Sequence, residues 1–251
     1  MHVTYTFNFL ETVSRQLKET LDAINASQLT ILGLQKLWQY QNELEAQQGV
    51  YVLYYEEAPV YLGKAYDLAD RLSQHYIKLT GRKFINLENV GYKALLLDKS
   101  MSTAANEEIL IAMFRTANPE MWNGKGFGPK DPGKERDTTK PSWFDLNFPI
   151  IDRFPVQVNT TILDEIELCV LLGQIKVQLP YVFRYSVPSV DLKRFISLSG
   201  IERDARSLTQ AIVNFLGIGW KGVVISYGIV IYRTTKEYTH GVELLPALVG
   251  N

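Results

Sequence analysis

Cysteine is almost absent from this chain of 251 residues, which contains a single one, Cys169. One cysteine cannot form an intramolecular disulfide, so a small disulfide-stabilised fold is excluded. Cys169 lies in the apolar run Ile166–Leu172, and we expect it to be a buried small hydrophobe and not a nucleophile. Other residue types must therefore carry any chemistry.

The chain also lacks long apolar runs and an excess of charge of either sign. No run reaches the roughly 18 apolar residues of a membrane span, and no signal-peptide pattern opens the sequence, so we expect a cytoplasmic protein. The 26 basic residues are balanced by 27 acidic ones, which argues weakly against a nucleic-acid binder that is basic over its whole surface. Hydrophobic residues make up 46% of the chain, enough for a sizeable core.

The N-terminal part predicts helix. Apolar residues recur at helical spacing from about Asn8 to Glu45, with a break expected at Gly33. We interpret residues 1–48 as a helical collar that packs against the rest of the protein and has no chemistry of its own.

A β-hairpin pattern begins at Gly49. Residues 49–55 and 60–63 are β-branched and aromatic, and the polar residues between them predict a turn. A helix with Asp67 as its N-cap is expected next. It would be followed by a strand over 92–97 and an amphipathic helix over 104–115.

The remaining chain predicts a long loop over 124–142 and then a second α/β part. Its expected elements are a helix over 160–179, a strand over 181–185, a helix over 207–216, and strands over 222–227 and 229–233. The predicted class is α/β (α+β), with a central domain at 49–154 and a C-terminal α/β segment at 155–251. The division between them is expected near Phe154-Pro155.

Several polar side chains of the central part suit phosphodiester hydrolysis, which needs a proton acceptor for water and positive charge at the phosphate. Tyr51 and Tyr61 would lie on adjacent strands, and Arg71 and His75, four residues apart, would share one helix face. An Arg clamps phosphate through its planar fork of donors, and a His can relay a proton near neutral pH. Lys64 could lower the pKa of a neighbouring phenol, and Glu107 could hold magnesium together with waters.

These residues resemble a known family. Gly49-Val50-Tyr51 and Tyr61-Leu62-Gly63-Lys64 are similar to the two motifs of the GIY-YIG nucleases, and the Arg, His, metal-binding Glu and Asn that follow in that family match Arg71, His75, Glu107 and Asn123. The resemblance implies one divalent ion, Mg²⁺ or alternatively Mn²⁺, held by Glu107. It implies Tyr51 as general base assisted by His75 or Lys64, Tyr61 as a hydrogen-bonding partner, Arg71 at the phosphate, and Asn123 as a residue that positions parts of the site.

The resemblance continues past Asn123. Gly126-Phe127-Gly128, Asp131-Pro132-Gly133, Arg136 and Lys140-Pro141-Ser142-Trp143 are similar to the tail of type II restriction endonucleases in this superfamily. It implies sequence-specific cleavage of double-stranded DNA, most simply by a homodimer, because two cuts in a palindrome match a two-fold axis. Residues 155–251 have no counterpart in the resemblance, and we expect DNA contact or dimerisation there.

Five basic residues of the long loop are candidate DNA contacts: Lys125, Lys130, Lys134, Arg136 and Lys140. Asp131, Glu135 and Asp137 lie among them, so the local excess of positive charge is small. A solvated loop without a DNA role is the alternative. Arg136 or Lys140 could read guanine edges.

Two other functions stay open. One is a nuclease of the same family acting on branched, nicked or single-stranded DNA in repair or in mobile elements. The other is a catalytically silent DNA-binding module. Each residue taken singly has an ordinary structural explanation, and only the ordered set favours a nuclease.

Overall fold

The computed structural model describes residues 8–97, 107–128, 133–160 and 163–247. It is a mixed α+β protein in which the chain forms two compact units, one of residues 1–80 and 85–128 and the other of residues 81–84 and 129–251. The sequence predicted a division near Phe154-Pro155, whereas the described residues 133–154 belong to the second unit. None of the described helices is both long and apolar enough to span a membrane.

The first unit contains an antiparallel sheet flanked by helices. Its helices and strands are α1 (Phe9–Ala23), β1 (Ser27–Gln28), α2 (Ile31–Glu43), β2 (Gly49–Tyr55), β3 (Ala58–Ala65), α3 (Leu68–Thr80), β4 (Val90–Leu96) and α4 (Glu107–Ala117). The strand order is β1-β4-β2-β3, and every neighbouring pair is antiparallel. The predicted hairpin, third strand and flanking helices are confirmed; the predicted start of α4 at 104–106 lies outside the described residues.

The two faces of the hairpin have different partners. Val50, Val52 and Leu62 are buried in a cluster with apolar residues of α1 and α4. Successive side chains of a strand point to opposite faces of the sheet. The residues that alternate with these three along β2 and β3 therefore point to the other face. Val50 and Leu62, the central positions of Gly49-Val50-Tyr51 and Tyr61-Leu62-Gly63, are therefore core residues, as their apolar character predicts.

The helical collar fixes the start of α3. Gln41 of α2 is 1% exposed; its amide oxygen accepts the Ala69 backbone N–H at 2.7 Å, and its amide nitrogen donates to the Asp67 carboxylate at 3.1 Å. The same carboxylate accepts the Asp70 backbone N–H, as a helix N-cap does. The predicted cap is confirmed, and α2 holds it in place.

The predicted helix break at Gly33 is wrong. Gly33 lies inside the first turn of α2, where its backbone N–H donates to the side chain of Thr30, the N-cap. The break falls earlier, where the short strand β1 pairs with β4. A glycine close to a helix start is tolerated because the N-cap supplies the hydrogen bond that the first turn lacks.

The second unit is built on a mixed sheet. Its elements are α5 (Trp143–Asn147), β5 (Glu165–Glu167), α6 (Leu168–Gln178), β6 (Val182–Tyr185), α7 (Ser189–Leu192), β7 (Phe195–Ser197), α8 (Ala205–Leu216), β8 (Trp220–Ile225), β9 (Gly228–Arg233) and β10 (Val242–Leu244). The order of the larger sheet is β10-β8-β9-β6, with β6 parallel to β9, and β5 pairs with β7. The predicted helix over 160–179 is wrong in its first part, because residues 165–167 pair with β7 before α6 begins.

The expected burial of Cys169 is also wrong. The buried residues of α6 are Leu168, Leu171, Leu172 and Ile175, which recur every three or four positions, as one face of a helix does. Cys169 falls outside that stripe and is exposed. The neighbouring Glu167 raises the pKa of the Cys169 thiol, which agrees with the expectation that it is not a nucleophile.

A buried carboxylate fixes the long loop within the second unit. Asp137 accepts two hydrogen bonds from the Arg184 guanidinium of β6, at 2.6 and 3.1 Å, and one from the Tyr227 hydroxyl at 2.8 Å. Its side chain is 1% exposed, so the charge is buried but fully paired. The loop around Asp137 is therefore held against the sheet of this unit although it contains little regular structure.

Candidate active site

The pairing of β2 with β3 brings the two motif tyrosines together. Tyr51 is opposite Gly63, and Tyr61 is opposite Leu53, so the tyrosines are diagonal neighbours on one face of the sheet. Their ring centroids are 6.2 Å apart. A side chain at position 63 would collide with the Tyr51 phenol, which explains why a glycine is needed there.

The α3 side chains then reach the same face. His75 Nε2 and Tyr51 Oη form a hydrogen bond of 2.7 Å between two buried residues. The Arg71 guanidinium, one helical turn earlier, acts electrostatically on the phenols of both Tyr51 and Tyr61. The structure thus brings together the four side chains that the sequence expected to meet.

Burial and charge set the protonation states of this cluster. Burial raises the pKa of both phenols, and the Glu107 carboxylate raises it further, while the Arg71 guanidinium opposes the shift. Burial, together with the charges of Arg71 and Lys78, lowers the pKa of His75 well below its ordinary value. At neutral pH the phenols are therefore protonated and the imidazole is neutral.

The tautomer of His75 sets the direction of the hydrogen bond at Tyr51. When the neutral imidazole carries its proton on Nδ1, Nε2 is an acceptor and the protonated Tyr51 hydroxyl donates to it. The Arg71 guanidinium acts on the same phenol. In this tautomer the phenol points its proton at an imidazole with a cation beside it, and it is prepared to exchange that proton.

Glu107 lies at the first described residue of α4, and its carboxylate is 3.7 Å from the Lys64 ammonium. Its side chain is 27% exposed, and its charge acts on both phenols, whereas the adjacent Glu108 is exposed. Of these two adjacent carboxylates, the geometry thus favours Glu107 as the candidate metal-binding residue. The Lys64 ammonium faces Glu107, and the Arg71 guanidinium lowers the pKa of both phenols. An effect of Lys64 on a phenol pKa stays a prediction.

Asn123 braces the outer edge of β3. Its amide oxygen accepts the Leu62 backbone N–H at 2.9 Å, and its amide nitrogen donates to the Leu62 carbonyl at 2.7 Å. The Trp122 backbone N–H donates to the Val60 carbonyl. Asn123 is buried, and its amide group makes the hydrogen bonds that the backbone of a neighbouring strand would make beside Tyr61.

The Gly126–Gly128 segment lies against the same cluster, and sequence reasoning gave it no role. The ring of Phe127 stacks on His75 with centroids 4.9 Å apart, and it meets Tyr61 edge-on. Gly126 has a φ of 105°, which favours glycine, and a side chain at Gly128 would collide with the Tyr61 hydroxyl. The only signal for this segment in the sequence was the glycine-flanked aromatic residue itself.

The described candidate DNA-contacting residues belong to both units. Lys125, in the first unit, is held by the Glu120 carboxylate at 3.0 Å. Lys134, Arg136 and Lys140, in the second unit, are exposed, and the Lys134 ammonium lies over the ring of Tyr232. Lys130 lies outside the described residues.

Three aromatic rings of the C-terminal part pack its interior. Trp220, Tyr232 and Tyr238 are each at most 5% exposed. They cannot stack on bases in this arrangement, so any DNA contact by β8 and β9 would involve other side chains.

Neither a scan against protein-family models nor a search of curated proteins finds a match for this chain.

We expect the neutral imidazole of His75 to make the protein sensitive to acid. The unfolded chain binds a proton at His75 near pH 6.5, whereas the folded protein resists it, so stability is lost as the pH falls below that value. The loss is at most about 1.4 kcal/mol per pH unit until the folded-state pKa is reached. Urea unfolding of wild type and His75→Gln between pH 7.5 and 5 measures it.

The variant should lose less stability on acidification than the wild type does. His240→Gln, at an exposed position, is the control and should follow the wild type. Parallel curves for wild type and His75→Gln would mean that His75 is not held neutral by burial.

We expect Asn123→Leu to destabilise the first unit, because the Leu62 N–H and carbonyl would both lose their partner. Leaving a buried polar group unpaired costs about 1–3 kcal/mol, so for two groups the free energy of unfolding should fall by roughly 2–6 kcal/mol. Asn118→Leu, which removes only one hydrogen bond to the Phe114 carbonyl, is the matched control. Equal losses in the two variants, measured by chemical unfolding, would contradict the bracing role.

Proposed function

We propose that this protein is a metal-dependent endonuclease of the GIY-YIG type that hydrolyses phosphodiester bonds in double-stranded DNA, as a type II restriction enzyme. The observation that supports it best is the 2.7 Å hydrogen bond between Tyr51 and His75, at a phenol on which the Arg71 guanidinium also acts. This arrangement joins a proton relay to a phosphate-binding cation on one surface. The resemblance of the ordered motifs points to the same chemistry.

The proton relay runs from water through Tyr51 to His75. As the water oxygen bonds to phosphorus, its proton passes to Tyr51 Oη while the phenol proton passes to His75 Nε2. The bond from phosphorus to the leaving oxygen breaks, and that oxygen takes a proton from solvent. The raised pKa of Tyr51 disfavours a free phenolate, so transfer to His75 in the same step avoids a charge that the site does not stabilise.

Arg71 neutralises the scissile phosphate. Its guanidinium stays protonated, and the two phenols raise its pKa. A planar fork of donors suits phosphate oxygens, and the link to both phenols holds the fork beside the relay. Asn123 positions Tyr61 through its two hydrogen bonds to Leu62.

Glu107 suits a divalent ion of the magnesium class. Its carboxylate is partly exposed beside the site, and the described residues contain no group of three or more acidic, His or Cys side chains that could hold a metal on their own. One carboxylate completed by waters and phosphate oxygens is a usual environment for Mg²⁺, and Mn²⁺ fits the same donors. When bound, the ion would supply positive charge at the phosphate.

The substrate and assembly follow from the proposed class. Arg136 and Lys140 are exposed and can contact duplex DNA, and two such chains related by a two-fold axis would match a palindromic site. We therefore expect a homodimer. Light scattering should give twice the chain mass of 28.6 kDa, and the mass of a single chain would contradict the dimer.

The test is digestion of a panel of plasmids with magnesium. We expect discrete fragments from the wild type and a loss of at least about 100-fold in cleavage rate for Glu107→Ala and for Tyr51→Phe, because each removes a group at the reacting atoms. Glu108→Ala and Tyr54→Phe are matched controls at neighbouring positions and should cut at nearly the wild-type rate.

Other outcomes separate the alternatives. Nicks or smears without discrete bands would support a nuclease that recognises DNA structure and not sequence. Duplex binding without cleavage, in magnesium and in manganese, would contradict the enzyme and support a silent DNA-binding module.

A further inference from the structure

The Gly126–Gly128 segment is fastened to α3 on both sides of His75. The Lys78 ammonium donates a hydrogen bond to the Phe127 carbonyl, and the Arg71 guanidinium donates to the Gly128 carbonyl at 3.4 Å. Arg71 and Lys78 are about two helical turns apart, so both lie on the helix face that carries His75. The segment therefore crosses α3 directly above the imidazole.

The ring of Phe127 covers one face of that imidazole. The two rings are inclined by only 20°, with centroids 4.9 Å apart, and Phe127 is 0% exposed. Tyr51 and Tyr61 lie around the same imidazole, with centroids at 5.5 and 5.3 Å. An imidazole enclosed in this way cannot turn about its Cβ–Cγ bond without displacing a buried ring.

Lys78 holds Phe127 in this position by a second contact. Its ammonium lies 5.1 Å from the centroid of the Phe127 ring, within the range of a cation–π interaction. Four groups thus contact one another in sequence: the Lys78 ammonium, the Phe127 ring, the His75 imidazole and the Tyr51 phenol. The positive charge of Lys78 also disfavours protonation of His75.

We propose that Phe127 and Lys78 are positioning residues that keep His75 Nε2 directed at Tyr51 Oη. Neither touches the reacting atoms in the mechanism described above. The inference rests on the proposed function for its effect on cleavage, but the orientation of His75 can be measured without cleavage.

The first experiment compares matched pairs of variants. Phe127→Leu removes the stacked ring, and Lys78→Met removes the cation while keeping the length of the side chain. Phe114 is a buried phenylalanine of α4 with Lys18 lying 5.0 Å over its ring, so Phe114→Leu and Lys18→Met reproduce both changes away from His75. The melting temperature of each variant separates a loss of folding from a loss of orientation.

We expect the single-turnover cleavage rate of Phe127→Leu and of Lys78→Met to fall by about 10- to 100-fold, the usual effect of losing a group that orients a reacting residue. The Kd for duplex DNA, measured with calcium in place of magnesium, should change by less than about threefold. Lys78→Arg, which keeps the cation and its donors, should recover most of the rate. The two control variants should cut at the wild-type rate below their melting temperatures.

The second experiment observes His75 itself. The chain has only three histidines, so a long-range ¹⁵N–¹H spectrum of the imidazoles is simple, and His75→Gln identifies the signals. We expect one tautomer in the wild type, protonated at Nδ1, and a mixture in Phe127→Leu. This readout remains when the wild type does not cut DNA, so a failure of the proposed function is distinguished from a failure of this inference.

The inference is overturned by either of two results. One is an unchanged His75 spectrum in both Phe127→Leu and Lys78→Met. The other is a cleavage rate in those variants that falls no further than in Phe114→Leu and Lys18→Met.

Discussion

The candidate site depends on the register of the β2–β3 hairpin. Tyr51 opposite Gly63 leaves space for a phenol above the partner strand, and it places Tyr61 on the same face. A shift of one residue between the strands would turn one of the two tyrosines to the face that packs on α1 and α4, and the pair would be separated. The apolar residues of the opposite face, Val50, Val52 and Leu62, prevent that shift because they would lose their buried positions. Core packing thus fixes the chemistry-bearing face.

The remaining groups are arranged around that fixed face with their own supports. The Asp67 cap and Gln41 hold the beginning of α3, and therefore the position from which Arg71 and His75 extend. Asn123 holds the outer edge of β3. Residues outside the polar cluster thus determine where its side chains lie, which is why α2 and Asn123 cannot be separated from the candidate site.

Much of the first unit could be predicted from its sequence, because its signals are local. Alternating side chains, a polar turn and an aspartate before a helix identify the hairpin and α3 without knowledge of distant contacts. Position 33 misled the prediction because a glycine in the first helical turn looks like a break when Thr30 is not recognised as the cap. Residues 165–167 are extended because they pair with β7, about thirty residues later, a long-range pairing that periodicity does not reveal. Phe127 could be noticed as a motif, but its stacking on His75 could not be inferred from spacing.

The burial of Asp137 changes how the charge of the loop should be counted. A tally of the sequence treats this aspartate as cancelling a neighbouring lysine or arginine. In the folded unit the Asp137 carboxylate is paired with the Arg184 guanidinium and faces the sheet, while Arg136 and Lys140 face solvent. The outward surface of this segment is therefore more positive than its composition suggests. A protein with nearly zero net charge can in this way present a local attraction for a polyanion, although no stretch of its sequence is strongly basic.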